Sequence, residues 1–434
     1  MKPELLMPAG DLEKAKYAIA FGADAVYAGV PQFSLRVKEN EFSLDQTKEL
    51  IDYVHKQKKK IYITLNIYPH NNKIESFLDF LDKLIPLQPD ALIMSDPGLI
   101  MLTQERYPNT EIHLSVQQNN VNYASAQFWE KVGIKRIILA RELSLKEIET
   151  IKEKNPNLEL EIFIHGAICI AYSGRCLLSN YLTGRDANQG QCAQSCRWQY
   201  KVLKSDNGEQ NSDFTIRATP RTQNSEFLLE EKLRPNEFIP IEEDSNGTYL
   251  LNSRDLCAID FIEDLMNLKI DSFKVEGRNK SVYYAAIVAK VYREVIDKIY
   301  SNQPVDIPKL FEELQSVGNR GYIPGFLSSE LGHNSQRYDS NSLMQTHIFA
   351  GILKEKNNNE VIFEVKNKLN QNDTIEIISP NETIMVSLKN MTDENNIPLN
   401  EINPGAGLFK VILDKPLTSN FAIARLEGRQ KRNS

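Results

Sequence analysis

The chain has 434 residues, of which 41% are hydrophobic and 25% are charged, and its formal net charge is -7. This balance is typical of a globular protein with a large core and argues against a disordered chain or a general nucleic-acid binder, which tends to be basic. No apolar run approaches the ~18 residues of a membrane span, and the amino terminus lacks a secretory signal pattern. We therefore expect a soluble cytoplasmic protein with no membrane contact, in which clustered cysteines bind metal or react rather than form disulfides.

Short apolar runs of strand length alternate with segments of helical spacing along the first two thirds of the chain. Eight such strands are predicted, at 4–9, 25–30, 61–67, 91–96, 112–117, 136–141, 161–166 and 272–277. Because each run is apolar throughout, we expect parallel strands that are covered on both faces. Eight strands predict an α/β fold with a closed (β/α)8 barrel of the TIM type, and a doubly wound open sheet is the alternative.

The chain between strands 7 and 8 is too long for one connection, and we interpret it as an insertion. It begins with a cysteine-rich segment at 165–198 and continues with a polar stretch at 204–248, which we interpret as an exposed irregular arm. The chain then returns in a short strand at 248–253. These parts belong to a barrel domain at 1–335, and the alternating runs within 340–434 predict a second domain, a small all-β barrel.

In a barrel of this type, chemistry takes place at the carboxyl ends of the strands. Nearly every predicted strand ends there in glycine or a polar residue, as a site for a small polar anion requires. The catalytic candidates are His165, Glu276 and Asp96. His165 is either a proton shuttle or a hydrogen-bonded residue that orders the cysteine loop. Glu276 and Arg278 are alternatively structural and form ion pairs with other strand ends. The binding candidates at these strand ends are Asn66, Gln117, Arg141, Lys274 and Arg278.

Four of the five cysteines lie close together, with the spacing Cys169-x6-Cys176-x15-Cys192-x3-Cys196, and Cys257 lies far downstream. Zinc sites usually combine two tight pairs, whereas a cubane cluster tolerates irregular spacing. The spacing therefore favours iron–sulfur over zinc, with buried inert cysteines as the alternative. Five cysteines for four positions leave either Cys196 or Cys257 over.

The segment EIFIHGAICIAYSGRCLLS at 161–179 fits the signature of the U32 peptidase family. The stretches PAGDLEKAKYAIAFGADAVYAG, ALIMSDPG, NSRDLCA and KVEGRNKSVYY resemble the same family, so the likeness covers about residues 4–330. The module from about 340 also resembles the domain that closes longer members. Within the family, the chain looks most like the prephenate-dependent tRNA uridine hydroxylases.

This resemblance implies an enzyme that hydroxylates the wobble uridine of certain tRNAs to 5-hydroxyuridine without oxygen. It implies prephenate as the co-substrate that supplies the hydroxyl group, and a 4Fe–4S cluster on Cys169, Cys176 and Cys192. The fourth ligand is Cys196 or Cys257, since relatives differ in which of these two positions carries the cysteine.

The implied partners set further expectations for the chain. The tRNA anticodon loop would present an unpaired, splayed-out base to the site. Prephenate is a dicarboxylate, and the candidates for its positive partners are Arg36, Arg141, Arg175, Arg254, Lys274 and Arg278. The basic stretch at 55–60 and the tail from Arg425 are either phosphate contacts or solvated surface.

Two other functions are compatible with the residues. The family name suggests a metal-dependent, collagenase-like protease, although the chain has no HExxH motif. The third hypothesis is a non-catalytic RNA-binding module with a structural cluster.

Overall fold

The computed structural model describes residues 2–30, 33–34, 42–169, 172, 179, 192–193, 226–230, 238–244, 247–249, 253–328, 335 and 343–428. In the described part of the chain, every helix is too short or too polar to cross a lipid bilayer.

Eight parallel strands close into a barrel. They are β1 (Glu4–Pro8), β2 (Ala25–Gly29), β3 (Lys60–Leu65), β4 (Ala91–Met94), β5 (Ile112–Leu114), β6 (Arg136–Ile138), β7 (Glu159–Ala167) and β12 (Ser272–Val275). Each strand from β1 to β7 pairs with the next, and β12 pairs in parallel with both β1 and β7. The predicted closed barrel is confirmed, and the open-sheet alternative is wrong.

Helices surround this barrel. They are α1 (Leu12–Ala20), α2 (Leu44–Lys56), α3 (Ile74–Leu84), α4 (Pro97–Arg106), α5 (Tyr123–Lys131), α6 (Leu145–Lys154), α7 (Ile262–Asn267), α8 (Val282–Tyr300) and α9 (Ile307–Gln315). Local sequence sets several of their starts. Ser43 and Ser144 form capping boxes with Gln46 and Glu147, which satisfy backbone amides at the start of α2 and α6.

Side chains of the barrel strands alternate between two apolar layers. On β7, Leu160, Ile162 and Ile164 face the helices, where most of the core lies. Phe163 points into the barrel and joins Tyr27 and Tyr62 there. This period of two is the geometry of a strand covered on both faces, as the apolar runs predicted.

The insertion between β7 and β12 contains strands that the sequence did not reveal. The structure places β8 (Glu226–Glu230), β9 (Phe238–Asp244) and β10 (Gly247–Tyr249) in an antiparallel sheet. The interpretation of 204–248 as irregular is therefore wrong for these three ranges. The predicted strand at 248–253 overlaps β10, but the strand that rejoins the barrel is β11 (Asp255–Cys257), which pairs with β7 and with β13 (Tyr322–Ile323).

The predicted all-β module is confirmed as an antiparallel sheet domain. Its strands are β14 (His347–Asn357), β15 (Glu360–Val365), β16 (Leu369–Asn370), β17 (Thr374–Ile378), β18 (Thr383–Ser387), β19 (Glu401–Ile402), β20 (Leu408–Ile412) and β21 (Ile423–Glu427). Six of them form one sheet in the order β18-β17-β21-β14-β15-β20, while β16 and β19 pair separately. Phe363 and Phe409 stack in its core with ring centroids 5.5 Å apart.

Arg425 joins the two domains. Only 5% of this residue is exposed, and its guanidinium donates to Glu313 of α9 and Glu376 of β17. The tyrosine hydroxyl of Tyr17 on α1 also donates to the carbonyl of Ala422 at 3.1 Å. The interpretation of Arg425 as part of an exposed basic tail is therefore wrong, and the rest of that tail, 429–434, lies outside the described residues.

Candidate active site

The carboxyl ends of β3, β4 and β5 are tied together by amide and hydroxyl groups. The Asn66 side-chain amide donates to the Ser115 hydroxyl at 3.3 Å, and the Ser95 hydroxyl donates to the Asn66 carbonyl at 3.2 Å. Gln117 lies in the turn after β5, where its carbonyl accepts from the Tyr68 hydroxyl. The structure thus brings Asn66 and Gln117 together on one side of the barrel mouth, as predicted from their places at strand ends.

Three predicted cations converge on two aromatic rings at the mouth. The ammonium of Lys274 lies 4.3 Å from the ring centroid of Tyr27 and 5.6 Å from that of Phe163. The guanidinium carbon of Arg141 lies 4.4 Å from the Phe163 centroid, and that of Arg278 lies 5.8 Å from the Tyr27 centroid. We call these five residues the cation–aromatic group, and its distances are those of cation–π contacts.

Backbone and hydroxyl contacts fix the cation–aromatic group in place. Arg141 donates to the Ala167 carbonyl at 2.5 Å, and Arg278 donates to the Ser34 hydroxyl at 3.0 Å. The Tyr27 hydroxyl donates to the carbonyl of Val275 at 2.9 Å. These contacts come from β2, β6, β7 and the end of β12, so the group is held by strands on both sides of the barrel closure.

Below this group lies a buried ion-pair chain that sequence reasoning missed. Glu161 is 0% exposed, and its carboxylate lies 2.7 Å from the Lys274 ammonium and 3.3 Å from the Arg136 guanidinium. Arg136 also contacts Glu4 at 2.6 Å and Glu159 at 2.8 Å. A signal was present in the sequence, because Arg136 and Glu161 begin two of the predicted strands and Lys274 lies within a third.

The approach of β12 to β7 depends on Gly166. Its φ is +109°, and a Cβ there would overlap the backbone carbonyl of Glu276. The Glu276 amide donates to the His165 carbonyl at 2.9 Å, and the Glu276 carboxylate accepts from the Gly277 amide at 3.1 Å. Glu276 is therefore buried at the strand end from which the cysteine segment begins.

His165 lies behind the mouth, between β7 and the helices. Its Nδ1 is 3.2 Å from the Tyr292 hydroxyl, which donates to the Ile164 carbonyl, and its ring contacts those of Tyr284 and Tyr322. Burial lowers the pKa of His165 to about 3, so the imidazole is neutral at physiological pH. These contacts hold the imidazole in place at the end of β7, and both interpretations, a proton shuttle and a residue that orders the cysteine loop, stay predictions.

Asp96 caps a helix. Its carboxylate accepts from the backbone amide of Leu99 at 2.9 Å at the start of α4. An aspartate in this position stabilises the helix through its unpaired amides and the helix dipole. The catalytic role predicted for Asp96 stays untested, whereas the capping role follows from its contact.

The described cysteines occupy two different environments. Cys169 follows β7 by two residues and is exposed, and Cys192 is exposed as well. The amide of Ala193, next to Cys192, donates to the Ser179 hydroxyl at 2.9 Å. By contrast, Cys257 is 4% exposed, and its sulfur lies 3.6 Å from the Tyr292 hydroxyl on the helix side of β11.

The remaining predicted residues are placed less completely. Arg254 lies just before the start of β11, and its guanidinium lies against Gly321. The backbone amide of Arg254 donates to the Ser335 carbonyl at 3.1 Å. Four predicted residues lie outside the described part of the chain: Arg36, Arg175, Cys176 and Cys196. Among the described residues, no group of three or more His, Cys, Asp and Glu side chains has the geometry of a metal site.

Comparison with known proteins gives matches for both domains. The family model of peptidase family U32 matches residues 10–337, and the model of the U32 C-terminal domain matches residues 345–425. The tRNA hydroxylation protein P of Haemophilus influenzae is 44% identical over 443 residues, which cover 98% of this chain and 96% of that protein. The protein of the same name from Escherichia coli is 42% identical over 451 residues, with coverage of 100% and 99%.

A relative that acts on a different RNA is also similar. The 23S rRNA 5-hydroxycytidine synthase of Escherichia coli is 35% identical over 296 residues. The match covers 68% of this chain but 39% of that protein.

Proposed function

Because the chain belongs to peptidase family U32 and is similar over its whole length to tRNA hydroxylation proteins, we propose that it hydroxylates the wobble uridine of tRNA to 5-hydroxyuridine. The observation that carries this proposal is the full-length match, which includes both domains. The relatives' names describe tRNA hydroxylation and the synthesis of 5-hydroxycytidine in rRNA, so RNA bases are their common substrate class. The barrel mouth is the part of the described structure whose polar groups suit this chemistry.

Prephenate is the proposed co-substrate. Its two carboxylates require cations, and the mouth carries Arg141, Lys274 and Arg278 within reach of the same two aromatic rings. Guanidinium groups bind carboxylates through paired hydrogen bonds, and a ring compound also gains from apolar contact with aromatic faces. Both kinds of contact are available in the cation–aromatic group.

A 4Fe–4S cluster is the proposed cofactor, and two described cysteines are available as ligands for it. Thiolates are the ligands that iron–sulfur clusters use, and Cys169 and Cys192 are exposed where the chain leaves the barrel. Cys257 fits less well, because it is buried on the helix side of β11 and Tyr292 already contacts its sulfur. We therefore propose Cys196 rather than Cys257 as the fourth ligand beside Cys169, Cys176 and Cys192.

In this proposal, the described residues at the mouth bind and orient the substrates. A bound cluster would supply Lewis acidity or electron transfer beside the substrate. The cation–aromatic group binds and orients the carboxylate, and Asn66 and Gln117 present amide groups on the opposite side of the mouth. Gly166 allows the close approach of Glu276 to the strand that carries the cysteine segment.

The tRNA contact is proposed for the mouth rather than for the basic stretch at 55–60. That stretch lies at the amino end of β3, where Lys58, Lys59 and Lys60 line a cavity of about 400 Å³ together with carboxylates. The carboxyl ends of the strands lie at the opposite end of the barrel. An unpaired anticodon base reaches a concave mouth more easily than a base within a helix, which suits an enzyme that modifies a base edge.

Mass spectrometry of tRNA nucleosides tests the proposal. A strain that lacks this chain and any paralogue should lose 5-hydroxyuridine and its derivatives, and the wild-type gene should restore them. A strain that cannot make prephenate should show the same loss. An unchanged level of 5-hydroxyuridine in the deletion strain would contradict the proposed function and would favour the protease or the RNA-binding hypothesis.

A further inference from the structure

The interior of the barrel carries charge where a barrel of this type usually carries branched apolar residues. From the base upward, Glu4, Arg136, Glu161 and Lys274 follow one another as direct ion pairs. Only 4% of Lys274 is exposed, and Arg136 is equally buried. A buried ion pair gives little net stability, because the loss of hydration offsets the attraction between the charges. The chain of charges therefore calls for an explanation other than stability.

The upper end of this chain is the cation–aromatic group. Lys274 belongs to both, because its ammonium contacts the Glu161 carboxylate below and the rings of Tyr27 and Phe163 beside it. Arg141 contacts the Phe163 ring, and Arg278 contacts the Tyr27 ring. Glu161 is thus the residue through which the interior chain of charges acts on the mouth.

We propose that the cation–aromatic group is a single pocket for the carboxylates of a cyclic organic acid, and that Glu161 is the positioning residue for Lys274. This inference rests on the proposed function, since prephenate is the acid of that class which the reaction would use. It adds one assignment to that function. The added assignment is that the buried carboxylate of Glu161 holds the Lys274 ammonium in place without touching the ligand.

The composition of the cation–aromatic group favours an organic acid as the occupant. Arg141, Lys274 and Arg278 place three cationic side chains beside two aromatic rings. The carboxylates of a cyclic acid would contact the cations, and its ring would gain apolar contact with Tyr27 and Phe163.

The contact with Glu161 favours the charged form of Lys274. Burial lowers the pKa of Lys274, and the Glu161 carboxylate opposes this effect. Three other groups face this ammonium. Glu276 also favours its charged form, Arg278 disfavours it, and the ring of Tyr27 lies 4.3 Å away. Replacement of Glu161 by the neutral Gln should therefore lower the pKa of Lys274 further, so that the ammonium loses its proton as the pH rises.

Calorimetric titration of the anaerobically purified protein with prephenate tests this inference. Glu161→Gln should weaken binding about tenfold or more at pH 8.5 and less at pH 6.5, where the lysine regains its proton. Glu159→Gln is the matched control, because the Glu159 carboxylate contacts Arg136 at 2.8 Å rather than Lys274. Its affinity for prephenate should stay within about twofold of the wild type at both pH values.

A second measurement separates this inference from the proposed function. Nitrogen-15 NMR of protein with labelled lysine side chains reports the pKa of the Lys274 amine in the absence of any ligand. The Lys274 signal is assigned by its loss in Lys274→Arg. Glu161→Gln should lower that pKa by about one unit or more, and Glu159→Gln should leave it in place. If the wild type binds no prephenate, the proposed co-substrate is wrong. If Glu161→Gln changes neither the Lys274 pKa nor the pH dependence of binding, Glu161 is not a positioning residue and the inference is overturned.

Discussion

At the scale of single residues, the Tyr292 hydroxyl contacts both His165 and Cys257. These two residues are cross-strand partners on β7 and β11, and both face the helices. A thiol in this place behaves as a small buried side chain with a weak hydrogen bond, whereas the exposed Cys169 and Cys192 are accessible to a metal cluster. The sequence left Cys196 and Cys257 equivalent, because a ligand count carries no information about which way a side chain faces.

Substitution of individual cysteines tests this distinction. Cys257→Ala should retain the iron and acid-labile sulfide of the anaerobically purified protein, because the thiol faces the helix layer. Cys169→Ala should lose most of both, and Cys196→Ala should behave in the same way. Elemental analysis and the visible absorption spectrum give the readout. Loss of iron from a folded Cys257→Ala protein, together with full iron in Cys196→Ala, would reverse the assignment.

The pH dependence of stability tests the burial of His165. Its pKa is about 3 in the folded protein and 6.5 in the unfolded chain, so below pH 6.5 only the unfolded chain binds the proton. This contribution to stability is complete above pH 6.5 and declines as the pH falls toward 3. Between pH 7 and pH 5, the free energy of unfolding should fall by about 2 kcal/mol from this group alone.

His165→Gln serves as the control for this measurement, because contributions from all other groups are common to both proteins. Urea denaturation of the two proteins at pH 7 and pH 5 gives the difference. The wild type should lose more stability than the variant over this range. Equal losses would mean that the imidazole is accessible to protons in the folded protein.

At the scale of elements, a bulge explains why the place of His165 was not predictable. Strict alternation from Glu161 and Phe163 would turn His165 into the barrel, as its position at a strand end implied. The pairing of β7 with β12 shifts register between Lys274 and Val275, so that β7 has one extra residue there. A bulge redirects the following side chain, and its position depends on pairing that a single strand does not encode.

The barrel strands were easier to predict from the sequence than the direction of single side chains. Eight apolar runs gave the eight barrel strands, because burial on both faces leaves a pattern in each run. The sheet of β8, β9 and β10 was missed, since its apolar runs are short and lie within an otherwise polar stretch of the chain. Lys274 was predicted from its place near a strand end, but its ion pair with Glu161 was not, because only the closed barrel brings the two residues together.

The start of α4 separates a capping role of Asp96 from a catalytic one. Asp96→Asn keeps an oxygen that accepts from the Leu99 amide, whereas Asp96→Ala removes it. We expect Asp96→Ala to lower the free energy of unfolding by about 1 kcal/mol and Asp96→Asn to change it by a few tenths. If Asp96 is only a cap, Asp96→Asn should also complement the deletion strain fully. Loss of 5-hydroxyuridine with normal stability in Asp96→Asn would instead show a direct part in the reaction.

At the scale of the whole molecule, Arg425 links the sheet domain to the barrel. Its guanidinium lies between Glu313 and Glu376, so its removal leaves two carboxylates close together without their shared cation. Arg425→Met should destabilise the protein by about 3 kcal/mol. Scanning calorimetry should then show the sheet domain and the barrel unfolding in separate transitions.

Lys415→Met is the control for Arg425→Met. Lys415 pairs with Glu382 at 3.4 Å but is largely exposed, and such pairs contribute less than about 1 kcal/mol. A single unshifted transition in Arg425→Met would show that the remaining contacts, such as that of Tyr17 with Ala422, suffice to join the domains.

Reconstitution of the reaction tests the central claim most directly. Purified protein with its cluster, prephenate and tRNA from the deletion strain are combined without oxygen, and the nucleosides are analysed by mass spectrometry. We predict that the wobble uridine gains one oxygen atom, that omission of prephenate abolishes this gain, and that Lys274→Met greatly reduces it. Uridine that stays unmodified with the fully loaded wild-type protein, or that is modified equally well without prephenate, would contradict the account.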